Sequence, residues 1–193
     1  MKLLLHCCCG PCAATVVRHF QAAGEQVTGW YYNPNLHPPE EMRKRQQALA
    51  QACLALGLPL LAPEREPKPA EFLLALAGRG GRRCDACYQL RLEATASKAR
   101  EEGFQAFSTT LLISPHQDLE AVHEIGAAAA EKHGVAFRFA DLRERYRESC
   151  ERARSMDLYR QNYCGCVFSA LERSEARAAR AIRKAGRLAP VAW

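Results

Sequence analysis

The feature that most constrains the fold is a regular alternation of short apolar runs with longer amphipathic segments. Strands are predicted over residues 2–5, 26–32, 58–62, 106–113 and 135–139. Helices are predicted over residues 11–23, 40–56, 70–77, 85–102 and 118–133, and the remainder is predicted to be helical apart from the segment near Cys164. Strands separated by helices predict a single α/β domain with a parallel sheet flanked by helices. In such a domain, ligands bind at the carboxyl ends of the strands.

Cysteine is the unusual component of the composition, with 10 among 193 residues. The apolar run Leu3–Leu5 stops at His6, which is too short for a signal peptide or a membrane anchor. The sequence therefore predicts a cytoplasmic protein that does not associate with a membrane. In that compartment, clustered cysteines indicate metal, cluster or redox chemistry rather than a disulfide framework.

Eight of the ten cysteines fall into three groups by spacing. The groups are His6-Cys7-Cys8-Cys9-Gly10-Pro11-Cys12, Cys84-Asp85-Ala86-Cys87 and Cys164-Gly165-Cys166. Cys53 and Cys150 stand alone and are interpreted as unreactive thiols. Cys7 is interpreted in the same way, because its neighbours could supply all the ligands of a metal site.

The first two groups favour a metal centre. Both lie at predicted helix N-termini, where unpaired backbone amides and the helix dipole stabilise thiolates. Cys84 and Cys87 are three residues apart, so their side chains can turn towards a common point. Adjacent Cys8 and Cys9 fit the several irons of a 4Fe-4S cluster better than one tetrahedral zinc ion. Two thiolates from each group would complete the four ligands of such a cluster.

The third group is open to two interpretations. Cys164 and Cys166 are separated by one glycine, which is too close for an unstrained disulfide, and strained disulfides are reducible and often catalytic. The pair could instead bind a second metal together with Cys12.

Positive charge is unevenly placed along the chain. Lys and Arg number 27 against 21 acidic residues, and the segment from Val167 onwards holds six basic residues and two acidic ones. A second excess surrounds Cys84 and consists of Arg79, Arg82, Arg83 and Arg91. Basic patches attract phosphates, above all those of nucleic acids. The other interpretation is a solvated helix face.

With these residues the chain resembles the epoxyqueuosine reductases of the QueH type. The resemblance rests on the block from His6 to Cys12, Tyr32-Asn33-Pro34-Asn35-Leu36-His37-Pro38, Arg83-Cys84 to Cys87 with Arg91, Ile113-Ser114, and Tyr159-Arg160-Gln161 to Cys166. It implies a HUP-like, Rossmann-like fold with the cysteine-rich site at the strand carboxyl ends. It also implies a catalytic domain over residues 1–170. Residues 171–193 lie outside the resemblance and are predicted to form a basic helical extension. No Gly-rich phosphate loop occurs, so ATP is not expected.

The resemblance further implies a reaction and its cofactor. The epoxide of epoxyqueuosine at the tRNA wobble position would be reduced to queuosine, the last step of queuosine biosynthesis, with electrons from an unidentified donor. Cys8, Cys9, Cys84 and Cys87 would hold a 4Fe-4S cluster. The third group, Cys164–Cys166, would be the redox pair or would bind a second iron or other metal.

The same resemblance implies roles for residues around the cluster. Cys12 would be an accessory metal ligand. The residues implied to bind substrate are Tyr32, Asn33, Asn35, Arg83 and Arg91, although turn chemistry accounts equally well for the first three. The candidate proton donors are His6, Tyr163 and Asp85.

Two other functions compete with this one. An electron-transfer protein with a Cys-Cys-Gly element would lack the Tyr32–Asn35 block and the Cys164–Cys166 group. A zinc-bearing RNA-binding protein fits poorly with adjacent cysteines.

Overall fold

The computed structural model describes residues 1–61, 68–77 and 82–188. In this part of the chain five strands form one sheet: β1 (Lys2–His6), β2 (Gln26–Trp30), β3 (Leu60–Leu61), β4 (Ala106–Thr109) and β5 (Ala136–Phe137). The strand order is β3-β2-β1-β4-β5, and every neighbouring pair is parallel. This is the order of a doubly wound, Rossmann-like sheet, so the predicted α/β fold is confirmed.

Seven α-helices accompany the sheet in the described ranges. They are α1 (Gly10–Ala22), α2 (Pro39–Leu56), α3 (Pro69–Leu76), α4 (Arg83–Glu101), α5 (Leu119–His133), α6 (Tyr146–Ser155) and α7 (Val167–Leu188). Helix α1 packs against α2 and α6, whereas α4 packs against α5. Helix α7 crosses the predicted boundary between residues 170 and 171. None of the described helices is long and apolar enough to cross a membrane.

The core is built around β1, the central strand. Leu3, Leu4 and Leu5 are fully buried, as is Phe107 on the neighbouring β4. A strand that is covered on both faces has an unbroken apolar run rather than an alternating pattern. The first residues of the chain therefore fix the centre of the sheet, and the cysteine block begins where this strand ends.

The predicted strand over residues 106–113 is wrong in its second half. Strand β4 ends at Thr109, and Thr110–Ile113 forms a 3-10 helix. The Thr109 hydroxyl accepts a hydrogen bond from the Leu111 amide at 3.1 Å and so caps this turn. Leu111, Leu112 and Ile113 are buried, and a short buried apolar run does not distinguish strand from helix.

The strand predicted over residues 26–32 ends two residues early, at Trp30. Two further predicted strands are shorter than expected. The strand predicted over residues 58–62 covers Leu60–Leu61, and residue 62 lies outside the described ranges. The strand predicted over residues 135–139 covers Ala136–Phe137. Both lie at the edges of the sheet. The helix predictions agree with the structure to within two residues at each end.

The sheet places the ends of β1 and β4 side by side. Strands β2 and β4 flank β1, so the chain order reverses at β1, where Rossmann-like sheets open a crevice for ligands. Gly10 opens α1 here, and a Cβ on it would lie 2.3 Å from the Ala48 carbonyl oxygen of α2. Glycine thus allows α1 and α2 to approach each other directly behind the cysteine loop.

Candidate functional site

The first cysteine group forms a compact cluster between β1 and α1. The sulfur atoms of Cys8, Cys9 and Cys12 lie within 4.8 Å of one another, and all three residues are buried. Thr110, directly after β4, holds Cys8 in place: its hydroxyl accepts from the Cys8 amide at 2.9 Å and contacts the Cys8 sulfur at 3.2 Å. These three thiols could bind a metal ion.

The surroundings of these three cysteines favour a thiolate at Cys8 and protonated thiols at Cys9 and Cys12. Hydrogen bonds from Cys12 and Cys9 hold the pKa of Cys8 well below its usual value, although burial opposes this shift. The pKa of Cys12 is raised because its thiol donates to Cys8 and Cys9, and burial raises the pKa of Cys9. Since thiolates are the ligand form, metal binding here would release the protons of Cys9 and Cys12.

The second group lies in the first turn of α4. Cys84 is exposed and Cys87 is buried. One turn further along, Arg91 is 2% exposed and donates from Nε to the Cys87 carbonyl oxygen at 3.2 Å. Its Nη2 atom has no hydrogen-bond partner among the described residues. A buried guanidinium with an unused donor is a preformed site for negative charge.

Arg91 also connects the three cysteine groups. Burial opposes its charge, yet its pKa is raised by electrostatic interaction with the sulfur groups of Cys87, Cys164 and Cys8. Each of these cysteines belongs to a different group. The groups that are distant in the sequence therefore surround one buried positive charge.

The third group is held by a buried ion pair on α2. Arg45 is paired with Glu41 at 2.8 Å, and their side chains are 3% and 8% exposed. Arg45 donates to the carbonyl oxygens of Cys164 at 2.9 Å and Tyr163 at 3.0 Å. Gly165 has a φ of +116°, and a Cβ on it would lie 2.3 Å from the Leu36 side chain. Arg45 and glycine together fix the turn that carries both thiols.

The two thiols of this group differ in charge. The pKa of Cys166 is lowered to about 5, because the Cys164 thiol and groups of Ser169 donate hydrogen bonds to its sulfur. The Ser169 amide lies 3.4 Å from that sulfur, in the first turn of α7. The pKa of Cys164 is raised by the same hydrogen bond and by burial. Cys166 therefore holds the negative charge and Cys164 holds a proton.

One cavity of about 470 Å³ joins these elements. Its lining includes cysteines of all three groups, namely Cys8, Cys12, Cys84, Cys164 and Cys166. Cys9 and Cys87 are buried and are absent from the lining. The remaining cysteines, Cys7, Cys53 and Cys150, also lie outside it.

Four of the five residues expected to bind substrate line this cavity: Asn33, Asn35, Arg83 and Arg91. Tyr32 is not among the lining residues. Its ring stacks on Trp30 with centroids 5.1 Å apart, and its hydroxyl donates to Glu71 at 2.7 Å.

The three candidate proton donors differ in their position relative to the cavity. His6 is fully buried, both ring nitrogens have partners (the Thr109 hydroxyl and the Tyr32 carbonyl), and burial lowers its pKa to about 4. It is therefore a neutral structural residue. Tyr163 lines the cavity and donates to the His37 carbonyl oxygen at 2.5 Å, whereas Asp85 is absent from the lining.

Sequence reasoning missed three polar contributions to the site. These are the Glu41–Arg45 pair, the Thr110 hydroxyl and Gln161, which donates to the Cys9 sulfur at 2.9 Å. Glu41 and Arg45 are four residues apart on α2, and this spacing could have signalled an ion pair. Their burial could not be predicted, since such pairs are usually solvated.

Fold and site together define a Rossmann-like α/β domain with a thiol-rich site, suited to metal binding and redox chemistry, at the carboxyl ends of its strands. Residues 3–172 match the family described as Epoxyqueuosine reductase QueH. The chain belongs to this family of oxidoreductases, which catalyses the last step of queuosine biosynthesis. The predicted function is thereby confirmed, and the two competing functions are disfavoured.

Individual relatives carry the same description. The chain is 40% identical over 172 residues to the epoxyqueuosine reductase QueH of Dehalococcoides mccartyi, covering 89% of this chain and 94% of the relative. It is 37% identical over 184 residues to that of Thermotoga maritima, covering 91% and 94%.

A solved structure shows the same fold. A predicted subunit of tRNA methyltransferase from Methanocaldococcus jannaschii superposes with a TM-score of 0.55, covering 80% of this chain and 76% of the other. The two sequences are 10% identical, so this likeness concerns the fold alone.

Proposed function

We propose that this chain reduces the epoxide of epoxyqueuosine at the wobble position of tRNA, in the cytoplasm, with electrons from a separate donor. The reaction consumes two electrons and two protons, breaks both C–O bonds of the epoxide, and yields an alkene and water. The observation that carries the proposal is the convergence of three thiol groups on one cavity beside Arg91. The cytoplasm suits this site, because thiols remain reduced there.

We propose that Cys8, Cys9, Cys84 and Cys87 hold a 4Fe-4S cluster. The donor set fits, because every candidate ligand is a thiol and thiolates are the ligands of such clusters. The Arg91 guanidinium, with its unused donor, fits the negative charge of a thiolate-bound cluster. When bound, the cluster supplies electrons for the reduction. Cys12 lies with Cys8 and Cys9 and is the proposed accessory ligand.

Cys164 and Cys166 are the proposed catalytic pair. Both line the cavity, with a proton on Cys164 and a negative charge on Cys166. The Cys164 thiol can pass its proton to the epoxide oxygen as a C–O bond breaks. In one arrangement the pair is a dithiol whose oxidation to a disulfide gives both electrons; water then supplies the second proton, and the separate donor reduces the disulfide again. In the other arrangement the pair binds a second metal with Cys12.

Asn33 and Asn35 are proposed to orient the nucleoside. Both line the cavity, and the Oδ1 atom of each is buried with no hydrogen-bond partner among the described residues. These oxygens can accept hydrogen bonds from substrate hydroxyl or amine groups. Arg83, which also lines the cavity, is proposed to contact tRNA phosphate. Tyr32 remains a prediction as a stacking residue.

The direct test incubates the reconstituted protein with a reductant and tRNA that carries epoxyqueuosine. We expect nucleoside mass analysis to show the loss of one oxygen. No loss with cluster-loaded protein would refute the proposal.

Two variants test the assignment of the thiols. Cys84→Ala should lose cluster iron, the visible absorption of the cluster and activity. Cys166→Ser should keep the cluster but fail to turn over. Cys53→Ala is the matched control, because Cys53 lies outside the cavity lining and should not affect either property. Full activity of Cys84→Ala without a cluster, or of Cys166→Ser, would contradict the respective role.

A further inference from the structure

Helix α7 leaves the body of the domain shortly after it begins. From Leu171 to Lys184 every residue is exposed except Arg173, which is half-buried. The family match ends at residue 172, so most of this helix lies beyond it. The exposed part therefore has no evident role in the core of the domain.

One face of this helix is a stripe of positive charge, which we call the basic stripe. Its members are Arg173, Arg177, Arg180 and Lys184, spaced four, three and four residues apart. Residues at this spacing share one face of an α-helix. No acidic residue in the described ranges forms a salt bridge with Arg177, Arg180 or Lys184. These three side chains of the basic stripe are therefore available to bind anions.

The stripe begins at the cavity. Ser169, Glu172 and Arg173 line the cavity, and Glu172 forms an ion pair with Arg83. Arg173 donates to the Asn162 carbonyl oxygen at 2.5 Å, which ties the second turn of α7 to the cavity rim. With a rise of about 1.5 Å per residue, the stripe extends roughly 16 Å away from the rim, from Arg173 to Lys184.

We propose that the basic stripe binds backbone phosphates of the tRNA whose wobble nucleoside enters the cavity. This inference rests on the proposed function. The start of α7 lines part of the cavity, so a polyanion whose nucleoside enters the cavity comes close to this helix. A row of basic side chains matches a row of phosphates in charge, and the arginines also match them in hydrogen-bond geometry.

The apolar side of the helix argues against a membrane as the partner. Leu171, Ala178 and Ile182 lie on the face opposite the basic stripe. A helix lying on a lipid surface buries its apolar face. In that orientation the centre of the basic stripe would point away from the lipid headgroups.

The test measures binding of the full chain to an unmodified tRNA transcript by fluorescence anisotropy at several salt concentrations. The variant Arg177→Gln/Arg180→Gln removes two stripe charges. Two lost phosphate contacts should weaken binding roughly ten-fold and reduce the magnitude of the salt slope by about 2. Arg180→Gln/Lys184→Gln should behave alike and provides a second measurement should the first variant fold poorly.

The matched control is Arg18→Gln/Arg100→Gln. It changes the net charge equally, but both residues lie towards the ends of α1 and α4 that are opposite Cys12 and Cys84. Its affinity and salt slope should remain close to those of the unaltered chain. An equal loss in the control would show that net charge alone drives binding, and would overturn the inference.

Three further results would also overturn the inference. The unaltered chain could fail to bind tRNA, or both stripe variants could bind tRNA as tightly as the unaltered chain. The stripe could also be required for binding to phosphatidylserine vesicles but not for binding to tRNA. Because the transcript lacks epoxyqueuosine, binding is independent of reduction. A chain that reduces its substrate but binds without the stripe refutes only this inference. A chain that binds through the stripe and reduces nothing refutes only the proposed function.

Discussion

Replacing Arg45 with methionine tests whether a buried ion pair fixes the turn that carries Cys164 and Cys166. The substitution keeps an unbranched apolar side chain at this position and removes the guanidinium with its charge. It leaves the Glu41 carboxylate, 8% exposed, without its cation, although the Tyr159 hydroxyl still donates to that carboxylate at 2.6 Å. It also removes the two hydrogen bonds to the carbonyl oxygens of Tyr163 and Cys164.

The magnitude follows from burial. Removing one partner of a buried ion pair costs about 3–5 kcal/mol, because the other charge stays buried without compensation. For a chain of this size, that free-energy loss lowers the melting temperature by about 6–20 °C. The double variant Glu41→Gln/Arg45→Met removes the orphaned charge and should recover part of the loss, while the two carbonyl oxygens remain without their donor.

Urea unfolding at pH 7 measures these differences in the free energy of unfolding. Arg43→Met is the matched control, since Arg43 lies on the same helix and is exposed; its effect should stay within about 0.5 kcal/mol. A loss below about 1 kcal/mol for Arg45→Met, or a double variant less stable than Arg45→Met alone, would refute the role of the pair.

Three further predictions concern pH, backbone geometry and thiol charge. Burial lowers the pKa of His6 from 6.5 to about 4, so the folded state disfavours the protonated ring. The free energy of unfolding should therefore fall by about 3 kcal/mol as the pH drops from 6.5 to 4. In urea titrations, His6→Gln should flatten this pH dependence. Gly165→Ala should cost about 1–3 kcal/mol in thermal unfolding, because the φ of +116° is strained for alanine; wild-type stability would contradict that strain. In the metal-free chain, iodoacetamide should alkylate Cys166 at pH 6, since the pKa of this thiol is about 5. Peptide mass analysis measures the pH at which alkylation begins, and Ser169→Ala should raise that pH. Alkylation of the unaltered chain that begins only near pH 9 would contradict the thiolate.

The fold could be predicted because its central strand and helix boundaries are encoded locally. The unbroken run Leu3–Leu5 predicts a buried parallel strand, and the structure places it at the centre of the sheet. Asp118 and Gly134 bracket α5, where Asp118 caps the first turn and Gly134 ends the helix with a φ of +63°. The Thr110–Ile113 turn was not predictable in this way, because its apolar residues fit either structure and one hydroxyl decides between them.

The site was predictable as a set of thiols but not as an arrangement. Spacing identifies the cysteine groups, since each is contiguous in the sequence. The buried polar side chains that hold them together are not contiguous with their partners: Arg45 reaches Cys164 across 119 positions, and Thr110 reaches Cys8 across 102. Such contacts follow from the order of the strands and the path of the chain between α6 and α7. A single sequence carries no local signal of either.

The topology places all three thiol groups at the N-termini of helices. The first group begins α1, the second lies in the first turn of α4, and Cys166 directly precedes α7. In Rossmann-like domains, helix N-termini at this edge of the sheet bind phosphate, because their free amides and dipoles favour anions. Here Cys8 and Cys166 carry the negative charge as thiolates, whereas burial raises the pKa of Cys84 and Cys87. Arg45 and Arg91 add two buried cations. Because Arg45 favours the charged form of Cys9 and Arg91 that of Cys87, the charge state of the site depends on these arginines as well as on its cysteines.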